Sequence, residues 1–98
     1  MPIHSFTTTV LGNTKLTNDI ILLSLSIPKD FSYLAGQFIT LRIEKGQEFR
    51  LKSYSILSPS PEKGKVDLCI KIIEGGFASE VFKKVKKGDT FQVKGPFG

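Results

Sequence analysis

The sequence contains one cysteine, one histidine and no tryptophan, which excludes several kinds of site. Cys69 has no second cysteine for an internal disulfide, and with His4 it falls short of a zinc ligand set. No apolar run reaches the roughly 18 residues that a membrane-spanning helix needs. The N-terminus also lacks the basic segment and apolar core of a secretory signal. We therefore expect a cytoplasmic protein without a bound metal.

The charge is unbalanced, with fourteen lysines and arginines against nine acidic residues and a net charge of +5. A basic balance of this kind is compatible with nucleic-acid binding. However, Lys83, Lys84, Lys86 and Lys87 cluster where a helix is predicted to end, and cations there complement the helix dipole. The other charges are scattered. An anionic small molecule or an acidic protein partner fits the charge equally well.

Alternating apolar residues predict six strands. Gly12 is expected to mark a bulge or tight bend in the first strand, because glycine adopts positive φ at little cost. Lys45-Gly46-Gln47 has the composition of a turn between the third and fourth strands. The predicted strands cover approximately residues 5–16, 21–27, 37–43, 49–58, 65–73 and 90–94.

A single helix is predicted between the last two strands. Ala78, Val81, Phe82 and Val85 recur at helical spacing, and Gly88 is expected to end the helix. Six strands joined by short connections, with one short α-helix between strands five and six, describe an all-β fold. The predicted architecture is a six-stranded antiparallel Greek-key barrel. We expect residues 1–98 to form this one barrel domain.

The first candidate site lies on the fourth predicted strand, in Lys52-Ser53-Tyr54-Ser55-Ile56-Leu57-Ser58. Arg50, Lys52 and Tyr54 are spaced two residues apart, so they share one face of the strand. This face combines an aromatic ring with cations and suits a planar, anionic ligand. The same pattern also fits a solvated strand face with a cross-strand tyrosine.

The second candidate site is Glu74-Gly75-Gly76-Phe77-Ala78-Ser79, where the fifth strand leads into the helix. Two glycines let backbone N–H groups converge on an anion, and Ser79 can cap the helix or donate to a ligand oxygen. Alternatively, the glycines form only a tight turn. The Gly-Lys-Ser/Thr ending of a nucleoside-triphosphatase loop is missing. An aromatic plane and a phosphate site together suit a flavin nucleotide, and equally a nicotinamide or adenine nucleotide.

The order of short motifs along the chain resembles that of the flavin-binding domain of the ferredoxin–NADP reductase superfamily. The resemblance extends from about residue 5 to the end of the chain. It implies a six-stranded antiparallel barrel with one helix, and FAD, or FMN, as the cofactor. The motifs are Ala35-Gly36-Gln37-Phe38, Lys52-Ser53-Tyr54-Ser55-Ile56, Leu68-Cys69-Ile70-Lys71, Gly76-Phe77-Ala78-Ser79, Lys87-Gly88-Asp89 and Gly95-Pro96-Phe97-Gly98.

In that superfamily an Arg-x-Tyr-Ser motif binds the flavin. The resemblance implies that Tyr54 stacks on the isoalloxazine ring and that Ser55 lies near flavin N5 as the catalytic residue. Lys52 stands where the family has arginine, and a lysine cannot make the same bidentate contact with phosphate. The choice between FAD and FMN is therefore open, although Arg50 on the same face is a candidate substitute. Strict alternation places Ser55 opposite Tyr54, so both reach one flavin only if the strand twists or bulges there.

The remaining implied contacts come from the fifth strand and the loop after it. Cys69 is expected to be a packed strand residue. The further residues that the resemblance assigns to flavin binding are Ser53 in the motif, Ile70, Lys71 and Ile72 on the strand, and Gly75, Gly76, Phe77, Ala78 and Ser79 around the pyrophosphate.

The resemblance implies an NAD(P)H-dependent oxidoreductase that relays electrons between nicotinamide and a one-electron carrier. The carrier would be a ferredoxin, a flavodoxin or an iron–sulfur oxygenase component. In the family a nicotinamide-binding domain follows the Gly-Pro-x-Gly segment, so we expect one after residue 98 and slow reaction with NAD(P)H without it. We expect neither nucleic acid nor a membrane as a partner.

Two other functions remain open from the residues alone. One is a barrel that has lost the flavin and serves as a non-catalytic interaction module. The other is a basic barrel that binds single-stranded nucleic acid, which needs aromatic platforms beside a basic groove. Most of the eight phenylalanines fall on predicted core faces, which leaves few rings to stack on bases.

Overall fold

The computed structural model describes residues 3–34, 36–58 and 64–98, which contain six strands and one short helix. The elements are β1 His4–Lys15, β2 Ile20–Ser26, β3 Phe38–Lys45, β4 Glu48–Ser55, β5 Lys65–Lys71, α1 Phe77–Phe82 and β6 Thr90–Phe97. The strands form one curled antiparallel sheet in the order β4-β3-β6-β1-β2-β5. The predicted all-β fold of six antiparallel strands, with one short helix between β5 and β6, is therefore confirmed for the described residues, as a half-barrel.

The core lies inside the curl of the sheet and is built from alternate strand residues. Because side chains alternate across a strand, a slip of one residue would move a whole apolar set to the solvent face, and this fixes the register. β4 is the exception, because its side chains are exposed apart from the half-buried Tyr54. The main buried strand residues are Val10, Ile21, Leu23, Leu25, Ile39, Leu41, Ile43, Val66, Leu68, Ile70, Phe91 and Val93.

The bulge expected in β1 is present. The pairing of β1 with β2 shifts register between Val10 and Gly12, which leaves Leu11 as the extra residue. The reason given from the sequence was wrong, because Gly12 is not among the glycines with positive φ. Positive φ is instead needed at Gly46, with φ 64°, in the tight turn that joins β3 to β4.

The helix is shorter than predicted and ends at Phe82 instead of at Gly88. The side chain of Asn13 in β1 explains this end, because its amide donates hydrogen bonds to the carbonyls of Phe82 (3.3 Å) and Val85 (2.9 Å). The chain then leaves the helix axis, and the N–H of Gly88 donates to the carbonyl of Val10 at 2.9 Å. Of the four clustered lysines, Lys83 alone lies at the helix end.

The sheet does not close completely into a barrel. β4 and β5 form its two edges, and in the described part of the chain their ladder contact is the single bridge between Ile56 and Leu68. Beside the bridge, the N–H of Leu57 donates to the carbonyl of Asp67 at 2.9 Å. We call the remaining gap, between Lys52–Tyr54 on β4 and Cys69–Lys71 on β5, the seam. Among the described residues, no helix has the length and apolar character to cross a bilayer.

Candidate functional site

A cleft of about 400 Å³ opens at the seam. Both segments singled out in the sequence line it, the first from β4 and the second from the loop and first turn of α1. In the part of the chain that the structure describes, the residues in its wall include no carboxylate, and lysines stand on both strand edges. They are Lys52, Tyr54, Cys69, Lys71, Ile73, Gly76, Phe77, Ala78, Ser79 and Phe82.

A neighbouring cleft of about 310 Å³ has the opposite character. Its wall carries the carboxylates of Glu44, Glu80 and Asp89 around Val81 and Val85, with two lysines at the rim. Like charges repel, so this second cleft disfavours an anionic ligand. The cleft at the seam is therefore the better site for the planar anion that the sequence suggested.

Tyr54 provides the aromatic surface of the seam cleft. Its ring is half-buried and meets the ring of Phe82 edge to face, with centroids 5.7 Å apart and planes at 80°. Tyr54 pairs with Ile39 across the β3–β4 ladder, so its side chain shares the face of the sheet from which Leu41 and Ile43 enter the core. The edge contact with Phe82 fixes the ring and leaves a ring face for a ligand.

The phenol of Tyr54 should remain protonated far above physiological pH. Burial opposes formation of the charged phenolate and raises the pKa of Tyr54 from 10.0 to about 12. An absorbance titration should therefore show an ionisation near pH 12 that disappears in Tyr54→Phe. The folded protein holds this proton more tightly than the unfolded chain, so stability should fall as the pH rises from about 10 to about 12.

A matched variant makes this titration specific. Tyr33→Phe removes the chain's other tyrosine, whose hydroxyl lies 3.0 Å from that of Ser58. The step near pH 12 should survive in Tyr33→Phe. A titration in which Tyr54→Phe keeps that step would contradict the burial of the Tyr54 hydroxyl.

The cations of β4 lie on the face that the two-residue spacing predicts. Arg50, Lys52 and Tyr54 pair with Ile43, Leu41 and Ile39 in turn, which puts all three on one side of the sheet. Lys52 and Tyr54 line the cleft itself. The Arg50 guanidinium lies beside the cleft, 4.5 Å from the centroid of the Phe77 ring.

Ser53 and Ser55 lie on the opposite face of β4. The Ser53 hydroxyl is 3.0 Å from that of Thr40, and Ser55 pairs with Phe38. Neither serine is among the residues that line the cleft. The structure thus separates Ser55 from Tyr54, as strict alternation predicts.

Gly75 and Gly76 shape the loop before α1. Gly75 has φ 77°, a value that favours glycine, whereas Gly76 is extended at the N-cap position of the helix. A Cβ on Gly76 would lie 3.1 Å from the carbonyl oxygen of Ile73 and 3.3 Å from the hydroxyl of Ser79. The lack of a side chain at Gly76 therefore lets the loop fold back closely onto Ile73 and Ser79.

Ser79 does not cap the helix, so this part of its predicted role is wrong. No side chain among the described residues caps the helix, and the buried hydroxyl of Ser79 accepts a hydrogen bond from the N–H of Ile73 at 2.7 Å. The contact is made because the loop folds back over the first turn of α1. The hydroxyl hydrogen of Ser79 remains to be donated at the cleft wall.

The predicted contacts on β5 are only partly brought to the cleft. Lys71 lines it, whereas Ile70 is buried in the core and the N–H of Ile72 donates to the carbonyl of Asp19 at 2.6 Å. Cys69 was expected to be packed but is exposed in the cleft wall. It alternates with the buried Leu68 and Ile70, and the outer face of β5 is open at the seam.

Sequence reasoning did not assign Ile73 and Phe82 to the cleft. Ile73 follows the end of β5, and its backbone accepts from Gly76 and donates to Ser79. Phe82 was recognised as a core residue of the helix, and it also forms the floor beneath Tyr54. A large aromatic residue six positions after Gly76 was the available signal for this double role.

The family model described as the oxidoreductase FAD-binding domain matches residues 7–98. Reductase component 1 of terephthalate 1,2-dioxygenase from Comamonas sp. is 33% identical over 95 residues, which are 95% of this chain and 27% of that protein. The chain therefore spans about a quarter of this curated relative.

Two solved structures resemble the chain in fold and sequence. A ferredoxin NADP+ reductase from Neisseria gonorrhoeae, with bound FAD and NADP, gives a TM-score of 0.82 at 25% identity. The match covers 95% of this chain and 39% of that one. The ferredoxin reductase in carbazole 1,9a-dioxygenase gives a TM-score of 0.84 at 27% identity, covering all of this chain and 30% of the other.

Proposed function

This chain belongs to the oxidoreductase FAD-binding domain family, and from that premise we propose that it binds FAD at the seam and serves an NAD(P)H-dependent oxidoreductase. The observation that carries the proposal is the meeting of Tyr54 with the Gly76–Ser79 segment in one cleft. The cleft joins an aromatic ring to a glycine-containing loop, with lysines on both edges and, among the described residues, no acidic residue in its wall. Those are the features that a flat ring system with phosphates requires.

The residues of the cleft fit such a ligand. Tyr54 presents a half-buried, neutral ring, and a Cβ at Gly76 would crowd Ile73 and Ser79, which line the same cleft. When bound, a flavin supplies the redox chemistry, exchanging electron pairs with nicotinamides and single electrons with protein carriers. The protein binds it, orients it and limits its contact with water.

Each proposed contact is supported by the position of a residue in the structure. The Tyr54 ring stacks on the isoalloxazine, and its contact with Phe82 holds it in place. The Gly76–Ser79 segment, with Gly75 before it, holds the phosphate end, where the Ser79 hydroxyl donates to an oxygen. Ser55 would meet the flavin only after a local twist of β4, since it lies on the other face.

The contribution of β5 to the proposed site comes mainly from its edge. The backbone at Lys71 faces the seam, and the neighbouring Ile70 and Ile72 hold that edge in the sheet through their pairing and core contacts. Lys52 supplies positive charge across the gap from Lys71. FMN, which has a single phosphate, is the alternative cofactor, and FAD is favoured by family membership.

We extend the proposal to the whole protein. Its proposed partners are a nicotinamide-binding domain and an electron carrier such as a ferredoxin, a flavodoxin or an iron–sulfur oxygenase component. Support comes from the similarity to a dioxygenase reductase component and to a ferredoxin NADP+ reductase. The proposed location is the cytoplasm.

Titration of the purified protein with FAD tests the proposal. We expect a shift in the visible flavin absorption and a Kd of about 1 μM or tighter, which corresponds to about −8 kcal/mol. A single-stranded oligonucleotide, added in place of FAD, serves as the control and should not bind. Binding of the oligonucleotide without any binding of flavin would overturn the proposal and favour the nucleic-acid alternative.

A further inference from the structure

We propose that Arg50, and not the lysine at the motif position, is the main phosphate-binding cation of the seam cleft. This inference rests on the proposed function and assigns a residue to one part of it. The family motif places its cation at Lys52, in the cleft wall. Arg50 lies two residues earlier on the same strand face, so it extends the row that Tyr54 and Lys52 begin.

The position of the guanidinium supports this role. Arg50 reaches from β4 to the first residue of α1, where its guanidinium carbon lies 4.5 Å from the centroid of the Phe77 ring. Phe77 is in the cleft wall next to Gly76, in the segment proposed to hold the phosphates. The stack therefore holds a planar cation at the edge of that segment.

The charge of Arg50 is not balanced by an acidic partner among the described residues. Its one hydrogen bond there runs from Nη1 to the carbonyl of Phe49, at 2.9 Å. A guanidinium has five N–H donors, so four remain for a ligand. The geometry matches phosphate, which arginine can contact through two parallel hydrogen bonds whereas lysine acts as a point charge.

The chain's other arginine provides a contrast. Arg42 also lies over a phenylalanine ring, 3.8 Å from the centroid of Phe49, but on the outer face of the sheet. It pairs with Glu44, with Nε and Oε2 3.3 Å apart. Both arginines are positively charged and stack on a phenylalanine ring. They differ because they lie on opposite faces of the sheet and because only Arg42 is paired with a carboxylate among the described residues. Arg42 is consequently a matched control for Arg50.

The test compares FAD, which has two phosphates, with riboflavin, which has none. Arg50→Gln should weaken FAD binding about tenfold or more, because hydrogen bonds to charged groups are the stronger ones. Riboflavin affinity should change by less than about twofold, because riboflavin has no phosphate for the arginine to contact. Arg42→Gln should leave both affinities within about twofold, since its charge lies on the other face.

Two further variants complete the design. Arg50→Lys should give an intermediate FAD affinity, because it keeps the charge and loses the planar donors. Lys52→Gln should weaken FAD binding less than Arg50→Gln does. The melting temperature of each flavin-free variant controls for folding.

The inference is overturned if Arg50→Gln binds FAD as wild type does, or if it loses FAD and riboflavin equally. Equal losses would show that Arg50 only supports Phe77. A larger loss of FAD affinity in Lys52→Gln than in Arg50→Gln would show that the cation at the motif position is the main phosphate contact. Failure of the wild-type protein to bind any flavin would instead contradict the proposed function, and the inference with it.

Discussion

Replacing Phe82 with alanine should lower the free energy of unfolding by about 3–5 kcal/mol, the range for large aromatic truncations in a core. The ring is 1% exposed and closes the last turn of α1 against the sheet. It meets Tyr54 edge to face and Phe91 at a tilt, each at 5.7 Å between centroids. Its removal would leave a cavity that a six-residue helix cannot collapse to fill.

Chemical denaturation of Phe82→Ala beside two controls measures this loss. Phe82→Leu keeps most of the volume and should cost less than about 1.5 kcal/mol. Phe49→Ala removes a ring that is 44% exposed, so its cost should also be well below that of Phe82→Ala. Equal costs for Phe49→Ala and Phe82→Ala would contradict the position of Phe82 as the link between core and cleft.

Replacing Tyr54 with alanine should weaken FAD binding by about 2 kcal/mol, or roughly thirtyfold in Kd. The expected loss combines a stacking surface with the apolar area that the ring covers. Tyr54 is half-buried, so the same change should reduce stability less than it reduces binding. Flavin titration of one preparation measures the loss of FAD affinity, and chemical denaturation of the same preparation measures the loss of stability.

Tyr54→Phe is the matched control for binding. It keeps the ring and its edge contact with Phe82, so FAD affinity should stay within about threefold of wild type. An unchanged affinity in Tyr54→Ala would remove Tyr54 from the flavin site. A loss as large in Tyr54→Phe would show that the hydroxyl, and not the ring face, binds the ligand.

The sheet and the face of the cleft could be predicted because both depend on the two-residue period of a strand. Leu23, Leu41 and Leu68 enter the core where alternation puts them, and the row of Arg50, Lys52 and Tyr54 is on one side. The alternation of side chains does not show whether other parts of the chain pack against the second face of a strand. Cys69 was therefore expected to be packed, yet it lies at an open edge.

Contacts between distant segments could not be predicted from local patterns. The helix ends at Phe82 because Asn13, 69 positions earlier, hydrogen-bonds its carbonyl. The Ser79 hydroxyl accepts a hydrogen bond from the N–H of Ile73, six positions earlier, because the loop folds back, whereas a cap was the more local interpretation. In both cases a hydrogen bond outside the regular pattern of the helix overrides what propensity favours.

The seam has a consequence for the protein without its ligand. Each unpaired strand edge is a template on which another chain can add a strand, and such edges promote aggregation. Lys52 and Lys71 stand on the two edges, and lysine on an edge strand is a common defence against this pairing. The charges that attract an anionic ligand thus also hinder edge-to-edge association while the cleft is open.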